Sequence, residues 1–179
     1  NIFEQRYLDL VNEAYNKDKL MGMVQSKKDG DNVYNVGCLG KISDYQKIKD
    51  GRILVNLTGI TRFKIIEEIS NNKLYREFKV DYNSFLKDVG ENNDEVEIND
   101  LMEKAKIFFK RNGLLLNWIE FEKLDQMQKI NTLAMIAPIT NEEKQKLLES
   151  VSLKEKVKTL EDIVSFYLHE ISFSSQTIQ

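Results

Sequence analysis

The chain has 179 residues, 41% hydrophobic and 31% charged, with a net charge of −3: enough apolar material for a buried core, and no disordered polyelectrolyte. Residues 1–90 carry 15 Lys+Arg against 13 Asp+Glu, and residues 91–179 carry 11 against 16. Neither part has the basic stripe of a general nucleic-acid binder, although a small basic patch fits the first part.

The opening segment has helical spacing. Phe3, Tyr7, Leu8, Val11, Ala14 and Tyr15 share one face, Asn1 with Glu4 has the form of a capping box, and the helix is expected to end near Asn16. Leu20 to Gln25 is a short apolar run, and Lys27 to Asp31 is a turn cluster. Tyr34, Val36 and Cys38 alternate with Asn35 and Gly37, the period of a strand. Gly40 marks a bulge, after which Lys41 to Ile48 continues the strand. Asp50-Gly51 is a hairpin signal leading into a long strand, Arg52 to Ile69. Ile53, Val55 and Leu57 lie on one face of it, and Gly59 is placed for a kink. Asn71 to Lys73 turns the chain, and Arg76, Phe78, Val80 and Tyr82 share a face of the next strand.

Leu86 to Asn93 is the expected boundary, because the period changes there from two to 3.6. Leu101, Met102, Ala105, Phe108 and Phe109 form a helical stripe that stops at Gly113. Met127, Ile130, Leu133, Ala134 and Ala137 form another, ended by Pro138. Thr140 with Glu143 and Ser152 with Glu155 are capping boxes. The last helix carries Leu153, Val157, Leu160, Val164, Leu168 and Ile171, and the polar tail after Ser174 reads as a chain terminus. The pattern is α+β: an antiparallel β-barrel with an N-terminal helix over 1–88, then a helical bundle over 94–179.

Reactive chemistry is hard to assemble from these residues. Gly37-Cys38-Leu39-Gly40-Lys41-Ile42-Ser43 imitates a phosphate loop, but its glycines are too close and it reads as strand. Cys38 is the only cysteine and His169 the only histidine, so no disulfide and no His/Cys metal cluster is expected. His169 suits the end of the last helix, where a cation favours the helix dipole. Glu67 and Glu68 point to opposite faces of a strand, and Glu142 and Glu143 sit in a first helical turn, where acids are favourable. Trp118 with Ile119 and Phe121 forms an apolar knot that either docks a hydrophobic peptide or seals the barrel against the bundle. No apolar run reaches the ~18–20 residues of a membrane span, and no secretory signal is visible, so a cytoplasmic location is expected. The chain begins at Asn1 without an initiator Met, and a segment is expected to be missing upstream.

Read in order, the motifs of the first 80 residues resemble a known domain. Ile2-Phe3-Glu4-Gln5-Arg6-Tyr7, Gly22-Met23-Val24, Val36-Gly37-Cys38-Leu39-Gly40-Lys41-Ile42, Leu57-Thr58-Gly59, Arg62-Phe63 and Tyr75 to Val80 are similar to the N-terminal substrate-binding domain of the Lon protease family. Asn131 to Met135 into Pro138, and Glu142 to Glu149, resemble its stand-alone bacterial members. The resemblance implies a PUA-like barrel followed by a helical bundle, with the strand that precedes the Ile-Phe-Glu motif absent. It implies neither of the ATPase and Ser–Lys protease parts of the full enzymes, and no cofactor or metal. The expected function is non-enzymatic binding of unfolded or partner polypeptides, on the barrel face and its junction with the bundle. Tyr34, Arg62, Tyr82 and Trp118 are the candidate contacts. Glu4, Arg6 and Arg62 are the expected structural network, with Glu4 paired to Arg62. The alternative, an RNA-binding PUA-like module, is disfavoured by the acidic balance.

Overall fold

The computed structural model describes residues 1–90 and 95–174, with side chains up to residue 169. It divides into two compact units, Asn1–Asn92 and Asn93–Gln179.

The first unit begins with an extended turn and a helix, α1 (Gln5–Asn16). Four antiparallel strands follow in the order β1-β2-β3-β4: β1 (Leu20–Met23), β2 (Val36–Lys47), β3 (Ile53–Ile69) and β4 (Glu77–Asp81). The expected Asn1–Glu4 capping box does not form. Glu4 is the N-cap and makes no side-chain bond to the helix. Ile2 instead exchanges backbone hydrogen bonds of 2.7 and 2.9 Å with Ile53. That bridge holds residue 2 extended, and so fixes where α1 starts.

The predicted turns are found, each for a local reason. Gly51 adopts φ +91° between β2 and β3, and the Asp50 carboxylate accepts from the Arg52 backbone. Asp29 accepts from the Asn32 amide before β2, and Asn71 accepts from Lys73 before β4. β2 and β3 lose register between Leu39 and Gly40 and again between Ile42 and Asp44, which bends both strands. Val11 and Ala14 of α1 are buried with Met21, Ile42 and Ile53, and Val55 and Leu57 pack against that cluster. Tyr15 stacks on Tyr45 at 4.1 Å, and the Tyr45 hydroxyl donates to Asn12.

After β4 a 3₁₀ helix, Asn83–Asp88, follows directly, where the sequence pattern shows no element. The second unit is helical: α2 (Asn99–Arg111), α3 (Trp118–Glu122), α4 (Gln126–Ile136), α5 (Asn141–Glu149) and α6 (Leu153–Ser174). Gly113, at φ +66°, ends α2 as predicted. Thr140 and Glu143 form a complete capping box on α5. Ser152 caps Glu155, whose carboxylate returns to the Val151 amide instead of that of Ser152. Asp125 and Gln128 form a further capping box. The apolar stripes of α2, α4, α5 and α6 bury one continuous cluster containing Leu101, Phe108, Phe109, Ile130, Leu133, Leu147 and Leu160. Ile171 and the tail after Ser174 lie outside the described side chains.

Candidate functional site

In the first unit the motif glycines make room for one ring. A Cβ on Gly37 would lie 2.6 Å from both the Met23 carbonyl oxygen and the Phe63 ring. A Cβ on Gly22 would meet the same ring at 3.2 Å. β1 and β2 therefore close over buried Phe63, whose ring meets Tyr82 edge-on at 6.4 Å. Tyr82 is the exposed end of this stack.

The neighbouring residue, Arg62, turns to the 3₁₀ helix. Its guanidinium grips the Asp88 carboxylate with bonds of 2.8 and 2.7 Å, its backbone amide donates to the same group, and its charge lies over the Phe85 ring at 4.3 Å. Both charged side chains are largely covered, at 12% and 20% exposure. Glu4 pairs with Arg6 at 2.8 Å on the surface. The expected Glu4–Arg62 pair is thus replaced by two others. The reason is proximity: Asp88 arrives on an element that the sequence pattern did not reveal, while Arg6 is two residues from Glu4 in the chain.

Tyr34 precedes β2. Its amide donates to the Gln25 carbonyl, and the Lys27 ammonium lies 5.7 Å from its ring. Cys38 is half-buried, and burial pushes its thiol above the ordinary range. This makes it a poor nucleophile.

A second polar centre joins α1 to the turn before β4. Glu13 accepts from the Tyr75 hydroxyl, from Lys17 at 2.6 Å and from Lys73 at 2.9 Å, and Lys73 also reaches Glu77 at 2.6 Å. The Lys17 ammonium, then the Tyr75 hydroxyl and Lys73, hold the Glu13 carboxyl down at about 2. The Glu77 carboxylate, then the Tyr75 hydroxyl and Glu13, raise the Lys73 ammonium above its ordinary value. The sequence pattern does not show this centre, because Glu13 and Tyr75 are 62 positions apart and no spacing rule links them.

Trp118 belongs to the second unit. It packs edge-on against Phe109 at 6.1 Å and Phe121 at 5.4 Å, with Lys106 5.5 Å from its ring. The apolar knot is split by α3: Phe121 is buried, Trp118 is half-buried and Ile119 is exposed. His169 is exposed on α6.

Among the described residues no group of three or more His, Cys, Asp or Glu is placed to hold a metal ion, and no helix is long and apolar enough to cross a membrane. The arrangement is that of an α+β module whose charged groups serve as clamps, with Tyr82 exposed and Tyr34 and Trp118 half-buried.

Comparison with known proteins identifies the class more closely. The family model described as the ATP-dependent protease La (LON) substrate-binding domain matches residues 1–165. The chain belongs to this family. It is similar to a Lon protease of Syntrophus aciditrophicus (strain SB), 27% identical over 98% of the chain and 24% of the relative. A Lon protease of Brevibacillus choshinensis is 26% identical over 76% of the chain and 18% of the relative. The chain therefore spans about a quarter or less of the length of these curated relatives. The fold is also that of a Lon N-terminal domain protein from Xanthomonas campestris, with a TM-score of 0.61 at 20% identity over 89% of this chain and 84% of that one. The N-terminal domain of a Mycobacterium avium complex Lon protease gives 0.60 at 19% identity, over 92% and 88%. The PUA-like α+β assignment rests on these neighbours and on the antiparallel sheet with its helix.

Proposed function

We propose that the chain is a non-enzymatic module that binds unfolded or partner polypeptides. The observation that carries this reading is the match of the substrate-binding domain family along residues 1–165. The match covers the non-catalytic domain of a protease family and no ATPase or protease part. The geometry supports the same reading. Tyr82, directly after β4, and Tyr34, two residues before β2, offer partly exposed rings in the first unit, and Trp118 at the start of α3 does so in the second. Such rings contribute contact area at low entropic cost. Arg62, committed to Asp88 and Phe85, acts as the clamp that keeps the Phe63–Tyr82 edge in place.

Titration of the full chain with reduced, carboxymethylated lactalbumin, followed by fluorescence anisotropy, tests this. The expected result is micromolar binding that survives physiological salt and is lost when the lactalbumin is left folded. No binding at those concentrations overturns the reading. Tight binding of a single-stranded RNA that collapses steeply with salt would replace it with the nucleic-acid alternative.

A further inference from the structure

The link between α2 and α3 presents apolar side chains that the fold does not use. Gly113 ends α2 in the left-handed conformation, and the Leu114 amide is tied back to the Phe109 carbonyl at 3.0 Å. The chain then alternates. Leu116 and Trp118 pack against the helical core. Leu115 is fully exposed and Ile119 is 76% exposed, with Leu114 at 36%. These side chains stand on a fixed base, because Asn117 caps α3 by accepting from the Glu120 amide. Single exposed apolar residues are ordinary on a protein surface, but several within six positions on one braced segment form a patch.

The charges that flank it in the chain have a definite sign. Between Lys106 and Lys123 there are four basic residues, Lys106, Lys110, Arg111 and Lys123, against two acidic ones, Glu120 and Glu122. The rest of the second half is acidic, so this surface runs against its background. Glu120 is taken by Lys123 at 2.6 Å, and Glu122 by Lys129 at 3.0 Å with Lys106 at 3.8 Å. Arg111 donates to the Leu168 carbonyl, and neither it nor Lys110 pairs with a carboxylate among the described residues.

We propose that the Leu114–Ile119 segment, with Lys110 and Arg111 at its edge, is a docking surface for extended polypeptide segments that carry large apolar side chains next to carboxylates. The proposal rests on the polypeptide-binding reading and names the surface and the chemistry of the segment it selects. Leu115 and Ile119 supply apolar area that the partner covers, and the two cations select against basic flanks. Complementary charge of this kind acts on the choice of partner and the rate of encounter more than on affinity.

The test uses the full chain and two fluorescein-labelled peptides with the same Leu-Phe-Leu core, one flanked by Asp and one by Lys. Carboxymethylated lactalbumin serves as the general ligand. The wild type is expected to prefer the Asp-flanked peptide. Leu115→Ser combined with Ile119→Ser should weaken that peptide by about tenfold or more, as loss of an apolar hot spot does. Lys110→Glu should abolish the preference for Asp flanks while leaving the fold intact by circular dichroism. If the double variant binds both lactalbumin and peptide as the wild type does, the surface is wrong and the polypeptide-binding reading stands. If the wild type binds neither, that reading fails and the proposal with it. Binding to anionic phospholipid vesicles in place of peptide would overturn the proposal. So would a concentration-dependent dimer in sedimentation that the double variant abolishes.

Discussion

The two units are stabilised by different means. The helix–sheet cluster of the first holds five buried apolar side chains, whereas the second has sixteen in one continuous cluster, so non-directional burial carries more of the second. The first unit compensates with directed contacts: the Arg62–Asp88 fork, the Glu13–Tyr75–Lys73 centre and the Glu68–Arg76 pair at 2.6 Å. Among the carboxyls held below their ordinary range, Glu13, Asp29, Asp50 and Glu68 lie in the first unit and Asp100 lies in the second. An apolar core tolerates changes of pH and salt, while a charge-stitched sheet does not.

The largest expected effect is in the apolar unit. Phe108 is 1% exposed and packs against Phe109 and Tyr167. Phe108→Ala should cost about 3–5 kcal/mol, since the site loses a ring and keeps a cavity. Trp118 is the only tryptophan and sits in this unit, so its fluorescence reports the loss directly in a urea titration. An effect below about 1 kcal/mol would mean that the cluster is not the main support of the unit.

In the sheet unit the corresponding weak point is a glycine. Gly37→Ala places a methyl against the Met23 carbonyl and the Phe63 ring, and the carbonyl belongs to a paired strand that cannot move alone. About 1–3 kcal/mol of destabilisation is expected, the range for overpacking. Hydrogen exchange of the β1 and β2 amides measures it. Gly51→Ala, at a turn with open space around the added methyl, is the control for strain without overpacking.

Much of the fold was legible because local signals agreed with one another. The Asp50-Gly51 turn, the bend at Gly40, the stop at Gly113 and the Thr140–Glu143 box each state their geometry in two to four residues. What stayed hidden is long-range or short. The 3₁₀ helix at Asn83–Asp88 has no helical period to detect, so its Asp88 was never a candidate partner for Arg62. α3 has five residues, too few for a stripe, and the segment around Trp118 read as one apolar knot. Capping arithmetic suggested Asn1 with Glu4, but the Ile2–Ile53 bridge outweighs it, two backbone hydrogen bonds against one side-chain cap. Tyr34, Tyr82 and Trp118 stand out in the sequence as aromatic candidates, and each has an environment that no spacing rule shows: a lysine, a phenylalanine edge and a helical core.

The smallest expected effect separates the units most cleanly, because it depends on charge alone. Glu13 titrates at about 2 in the folded chain, below its ordinary 4.5. A carboxyl with a depressed folded pKa binds fewer protons in the native than in the unfolded state between those values. Its contribution is therefore fully present above about pH 4.5 and is lost as the pH falls toward about 2. Glu13→Gln should flatten the acid limb of the stability curve in that window and leave stability near neutral pH only slightly lower. Because Glu13 and its lysine partners are partly open to solvent, added salt should shrink the wild-type acid dependence toward that of the variant. The Trp118 signal of the helical unit should keep its acid profile in the variant, since its apolar cluster contains no carboxylate. An unchanged acid limb in hydrogen exchange of β3 and β4 would show that the Glu13 centre decorates the sheet and does not hold it.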